Sequence, residues 1–204
     1  MNEISKVILF IVLLVFFILI ILLIDSSKIG ELFLEYRNST NGKRYGIQEI
    51  FKDSDIALEL IAKLHNNMNS FVSKLKNKYP NDERVIRLVK GFNRVEIEET
   101  TENPGDDNTS FTINKGELMS LCVRKGADDE PTRPLHDYNT LCFVIIHEMA
   151  HIASVSEGHN FEFIENFKFL LKEAVDMGYY TPVDYSKNPF MYCGKIKVTN
   201  NPYY

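Results

Sequence analysis

The chain has 204 residues and a net charge of −5, with 23 Lys and Arg against 28 Asp and Glu. That balance gives no support for gripping a phosphate backbone, so nucleic acid is not indicated as a partner. At 45% hydrophobic and 25% charged residues the composition is that of an ordinary globular protein, long enough for one domain with a core that needs no staples.

Val7 to Ile24 is an unbroken apolar run of 18 residues without Gly, Pro or charge. As a helix it reaches about 27 Å, close to the hydrocarbon thickness of a bilayer. It leaves through Ile24, Asp25, Ser26 and Ser27, which lack the small-residue pattern of a signal cleavage site. The expectation is a single-pass membrane protein with an N-terminal transmembrane anchor over 1–27. Lys28, Arg37, Lys43 and Arg44 follow the run and only Lys6 precedes it, so the positive-inside rule leans toward a domain on the cytoplasmic side. Two Asn-x-Ser/Thr triplets, at Asn38 and Asn108, bear only on a lumenal domain, and such triplets are common by chance. Residues 25–36 look like a juxtamembrane continuation. Residues 28–46 form the expected linker, its second half rich in turn formers (RNSTNGKRYG), and 47–204 the folded domain.

From Asp53 to Lys78, Ile56, Leu60, Ile61, Leu64, Met68, Phe71, Val72 and Leu75 recur at helical spacing, with Asp53 or Ser54 as cap and Pro80 as stop. His65, beside that stripe, reads as structural or surface. Val95 to Glu98 alternates as a strand. Residues 102–108 and 125–137 read as polar loops. Between them, Phe111 to Ile113 and Leu118 to Val123 read as strands joined at a turn. A very apolar helix follows from Tyr138 to about Val155, capped by Asp137 and stopped by Gly158. A second runs from about Phe161 to Met177, with Phe163, Phe167, Leu170, Leu171 and Ala174 as core candidates. Cys122, Cys142 and Cys193 are too few and too far apart for a disulfide framework. They read as small buried apolar residues, with one disulfide plus a free thiol as the alternative in an oxidising compartment.

The chemistry lies in His147-Glu148-Met149-Ala150-His151, an HExxH sequence. On a helix, positions i and i+4 share a face, so both imidazoles reach one metal ion. Glu148 then projects beside the metal, where it can take a proton from an activated water. Three nitrogen donors suit a single zinc ion. The third ligand is best supplied by His159, since Gly158 lets the chain turn back over the metal. The rival is Glu173 on the next helix, with Asp176 one turn further on. His136 is either a plain loop residue or a group supporting the site. Tyr179, Tyr180, Tyr185 and Tyr192 are candidates to stabilise an oxyanion, with packing as the plainer role.

The stretch HEMAHIASVSEGHNFEF resembles the HExxH…H…F pattern of the WLM and SprT-like minimal zincin metallopeptidases, with His159 at the third histidine and Phe163 at the phenylalanine. The segment Asn114 to Arg124 resembles the strand before the active helix in WLM-like proteins of large DNA viruses, and Tyr192-Cys193-Gly194 resembles their end. The resemblance covers roughly residues 50 to 195. It implies an α+β fold, a small mostly antiparallel sheet with the HExxH helix. It also implies one zinc held by His147, His151 and His159, Glu148 as base, and a protein or peptide substrate. Some members act on proteins crosslinked to DNA, but this chain's longer His151 to His159 spacing and lack of a basic extension depart from them. In zincins the substrate pairs with an exposed sheet edge, for which Leu118 to Val123 is the candidate, an internal strand being the alternative. The rival functions are a zincin-like binding domain without catalysis and a DNA-associated protease of the repair type.

Overall fold

The computed structural model describes residues 3–23, 34–101, 109–126 and 133–204. Helix α1 spans Glu3–Leu23. Among the described residues no helix is long and apolar enough to cross a membrane, which corrects the expected transmembrane anchor and, with it, the single-pass placement. Most of the expected juxtamembrane continuation, all of the loop expected over 102–108 and residues 127–132 of the second loop lie outside the described residues.

Strands β1 (Leu34–Asn38) and β2 (Arg44–Gln48) pair antiparallel. The turn formers expected to make residues 37–46 a linker instead make a hairpin, closed at Gly42 with φ +77. Tyr45 and Ile47 enter the core from β2. Helix α2 (Ser54–Lys78) buries Ile61, Leu64, Met68, Phe71 and Leu75 on the stripe its spacing predicts, although Ile56 is exposed. His65 is buried within it. Its Nδ1 lies 2.9 Å from the Tyr45 hydroxyl and its ring stands edge-on to Phe92.

Helix α3 (Glu83–Phe92) has no counterpart among the sequence expectations. Asp82 caps it by accepting from the Arg84 amide, and Val85, Leu88 and Phe92 bury. Ten residues between a proline turn and a strand give only two or three turns of periodicity, too short to stand out from charged surroundings.

Strands β3 (Glu96–Glu99), β4 (Phe111–Ile113) and β5 (Leu118–Leu121) join the hairpin in one five-stranded sheet of order β1-β2-β3-β5-β4. The outer pairs are antiparallel, but β2–β3 and β3–β5 are parallel. The sheet is therefore mixed, not mostly antiparallel. The α2–α3 crossover returns the chain to the same end before β3 and makes β2–β3 parallel, and β5, reached through the outer strand β4, runs back in between parallel to β3. β5, the candidate edge, is interior, and β4 holds the edge.

The β4–β5 turn is seated by a close approach of backbones. Gly116 has φ +99, and a Cβ there would lie 2.7 Å from the Gly91 carbonyl oxygen. A Cβ on Gly91 would collide with the Lys115 carbonyl and with Ile152. Glycine at both places lets α3 press the turn toward the next helix.

That helix, α4 (Tyr138–Ala153), starts where the Asp137 carboxylate accepts from the Thr140 amide and hydroxyl. Its apolar girdle fits its place, since α2, α3, α5 and β4 all contact it. Helix α5 (Phe161–Asp176) is capped by Asn160, which accepts from the Phe163 amide. The chain ends in a hairpin of β6 (Phe190–Tyr192) and β7 (Ile196–Val198). A Cys122–Cys193 disulfide ties the hairpin turn to the end of β5, with Cα atoms 6.3 Å apart, while Cys142 is a buried thiol. Of the two readings of the cysteines, the structure has the bridge plus one thiol.

Candidate metal centre

Helix α4 sets His147 and His151 one turn apart on the face turned to β4 and α5. Beyond Ala153 the helix stops, and the Ser154 hydroxyl donates to the Ala150 carbonyl while accepting from Asn166 Nδ2. The short loop to His159 is then fastened from three sides. The Glu162 carboxylate accepts from the Val155 amide and from the amide and hydroxyl of Ser156, which holds it at about 2, well below the ordinary carboxylate value. Lys115 Nζ, from the seated β4–β5 turn, donates to the carbonyls of His151 and Ser156 and pairs with Glu157 at 3.1 Å. Arg87 Nε donates to the Ala153 carbonyl at 2.7 Å. Gly158, with φ +75, makes the turn that a side chain would strain, and His159 comes next, just before the cap of α5.

The result is convergence. The Nε2 atoms of His147, His151 and His159 lie 3.3, 3.2 and 3.0 Å from one another. Among the described residues these three form a group able to hold a metal ion. Nitrogens bonded to one tetrahedral zinc at about 2.0–2.1 Å stand roughly 3.3 Å apart. Burial, then the neighbouring imidazoles, push His147 down to about 3, and His151 is lowered to about 4 by burial, His159 and Lys115. Both rings are therefore neutral at ordinary pH. Three Nε2 atoms facing one point cannot all pair with one another, because each ring nitrogen either donates or accepts. A soft-to-borderline cation accepts all three lone pairs, so the donor set fits zinc.

Phe163 holds this geometry from below. Its ring centroid lies 4.8, 4.3 and 4.7 Å from those of His147, His151 and His159, and it is 1% exposed. Phe161, two residues earlier, is exposed and takes no such part.

Glu148 is buried beside the histidines, and Thr112 Oγ1 on β4 donates to its Oε2 at 2.9 Å. Burial raises its carboxyl to about 7, against a smaller opposite pull from Thr112. Between its ordinary value of 4.5 and about 7 the folded protein keeps a proton that the unfolded chain has lost, so stability falls as pH rises through that window. Chelator-treated Glu148→Gln, which cannot ionise, should match wild type near pH 4.5. It should be more stable by up to about 3 kcal/mol above pH 7. Urea unfolding at both pH values checks this, and a difference independent of pH would rule out the buried proton.

The other candidates lie elsewhere. Glu173 accepts from Lys78 Nζ at 2.8 Å and from the Tyr79 hydroxyl at 2.6 Å, tying α5 to the end of α2. It does not replace His159. His136 is buried against Tyr192 and Phe190 and lies 3.5 Å from the Cys193 amide. Tyr179 bonds Ser70, while Tyr180 and Tyr185 pack on Phe143. Tyr192 borders the site, but its hydroxyl is bonded to the Cys122 carbonyl and Ser110, both at 2.7 Å. Thr112, Lys115 and Glu162 carry no sequence signal of their own.

A cleft of about 470 Å³ opens over the histidines, bounded by β4, α4, the His159 loop and the terminal hairpin. The chain is similar to an uncharacterized protein of Acanthamoeba polyphaga mimivirus, 29% identical over 163 residues, which are 78% of this chain and 80% of that one. It is also similar to uncharacterized proteins of Invertebrate iridescent virus 3, 37% identical over 90 residues, and Invertebrate iridescent virus 6, 40% identical over 71. These matches cover 43% and 35% of this chain, and 51% and 38% of those relatives. No family model and no solved structure matches the chain.

Proposed function

We propose that the protein is a zinc-dependent peptidase of the WLM/SprT-like zincin type, acting on protein or peptide. The observation that carries this is the meeting of three Nε2 atoms within 3.3 Å of one another next to a buried carboxylate. His147, His151 and His159 hold one zinc ion. When bound, zinc acidifies its water toward neutrality and polarises the scissile carbonyl. Glu148 takes the proton from the attacking water and passes it to the leaving amine. Thr112 donates to Oε2 and holds the carboxylate in place. β4, the edge strand beside α4, offers backbone groups to an extended substrate, which pairs with it as an added strand. A net charge of −5 favours plain polypeptide over a DNA-bound substrate.

The test is zinc content by elemental analysis together with hydrolysis of a mixed peptide library. One zinc per chain is expected, with cleavage lost on chelation and restored by added zinc. A His159→Ala protein that retained zinc as tightly as wild type would remove the three-histidine site. A zinc-loaded wild type that cut nothing would reduce the domain to a binding module.

A further inference from the structure

The cleft is chemically lopsided along α4. Toward the C-terminal end of that helix its lining is polar: Asn114, Lys115, Glu157 and His159. Toward the N-terminal end, past Glu148, Phe143, Val144, Tyr192, Ile196 and Val198 make it mostly apolar, with Thr109 and Ser110 the polar residues there, the Ser110 hydroxyl bonded to that of Tyr192. Val144 is three and four residues before His147 and Glu148, hence on the same helical face one turn away. The terminal hairpin closes this end. Tyr192 pairs directly with Ile196, and Phe190 with Val198, so these four side chains share one face of the hairpin. Ile196 is 44% exposed. The hairpin is not a loose flap, because the disulfide and the Tyr192 bond to the Cys122 carbonyl fix it to β5.

The geometry points to a specificity pocket: Val144, Ile196 and Val198 select a large apolar side chain next to the scissile bond, on the side of the substrate that lies toward the N-terminal end of α4. This rests on the peptidase reading. An extended chain paired with β4 points successive side chains to opposite faces of the sheet. One of those next to the cut enters the space between Val144 and the hairpin. Water leaves apolar surface on both partners, which favours Leu, Ile, Phe or Met. A charged side chain entering the same space loses its hydration without finding a partner.

The experiment uses the full-length zinc-loaded protein and positional-scanning peptide pools in which one position at a time is Leu, Phe, Ser, Lys or Glu, with cut sites read by mass spectrometry. Expected is a preference for Leu or Phe over Lys of about tenfold or more at one position beside the cut. Ile196→Glu and Val198→Glu should each shift that preference toward Lys. Cleavage without an apolar preference, or a preference indifferent to both substitutions, overturns the pocket and leaves the peptidase intact. The same pools, fluorescently labelled, are titrated against zinc-loaded Glu148→Gln. Tighter binding of the Leu and Phe pools than the Lys pool, lost in the double variant with Ile196→Glu, supports the pocket even if wild type cuts nothing. Equal binding of all pools overturns it. Absence of cleavage thus counts against hydrolysis, and absence of discrimination counts against the pocket.

Discussion

Cleavage by a Glu148→Gln protein is expected to fall by about 10²- to 10⁴-fold, the usual worth of a general acid–base group, while zinc content stays at the wild-type level. The two halves of that expectation come from different atoms. The proposed ligands are three histidine nitrogens, and Glu148 is not among them, so an isosteric amide takes nothing from the metal. The amide oxygen still accepts from Thr112, the partner of Oε2 in the native carboxylate, so the side chain stays in place. What disappears is the capacity to carry a proton. Elemental analysis and steady-state kinetics on the same preparation separate the two. Zinc lost along with activity would put Glu148 in the coordination sphere and take away its role as base.

Phe163→Ala should cost about 3–5 kcal/mol of stability, as removal of a buried phenylalanine does, and should also loosen zinc about 10- to 100-fold, the scale of supporting contacts around a metal. Core filling alone explains only the first effect. The second follows because one ring touches all three imidazoles, so its removal frees each to leave the common point. Phe163→Leu recovers much of the volume without the flat surface, and should regain more stability than zinc affinity. Urea unfolding of the chelated proteins gives the first quantity, and competition with a chromophoric chelator gives the second. Wild-type zinc affinity in Phe163→Ala would leave Phe163 as packing only.

What could be read from the sequence was local. The HExxH spacing, the Asp137 cap and the apolar run of α4 are contained within one helix, and that helix formed as expected. His159 was legible because Gly158 announces the turn before it. The features that aim His159 are not local. Glu162, Lys115 and Arg87 act across elements, on backbone groups that no pattern identifies. Thr112 reaches Glu148 from β4, which is the edge because β5 inserts between it and β3, an order that no local pattern announces. Helix α3 was too short for periodicity to reveal. Hydropathy alone overstated the N-terminal run as a membrane span. The cysteines could not be paired by counting, since three allow three different bridges and the one formed joins residues 71 apart.

The Cys122–Cys193 bridge closes a covalent ring around helices α4 and α5 and the loop between them. His147, Glu148, His151 and His159 all belong to that ring. A nick anywhere from residue 123 to 192, whether self-inflicted or by a foreign protease, therefore releases no fragment. Both pieces travel as one molecule until a thiol reagent opens the ring, and only then does the damage become visible as two shorter chains.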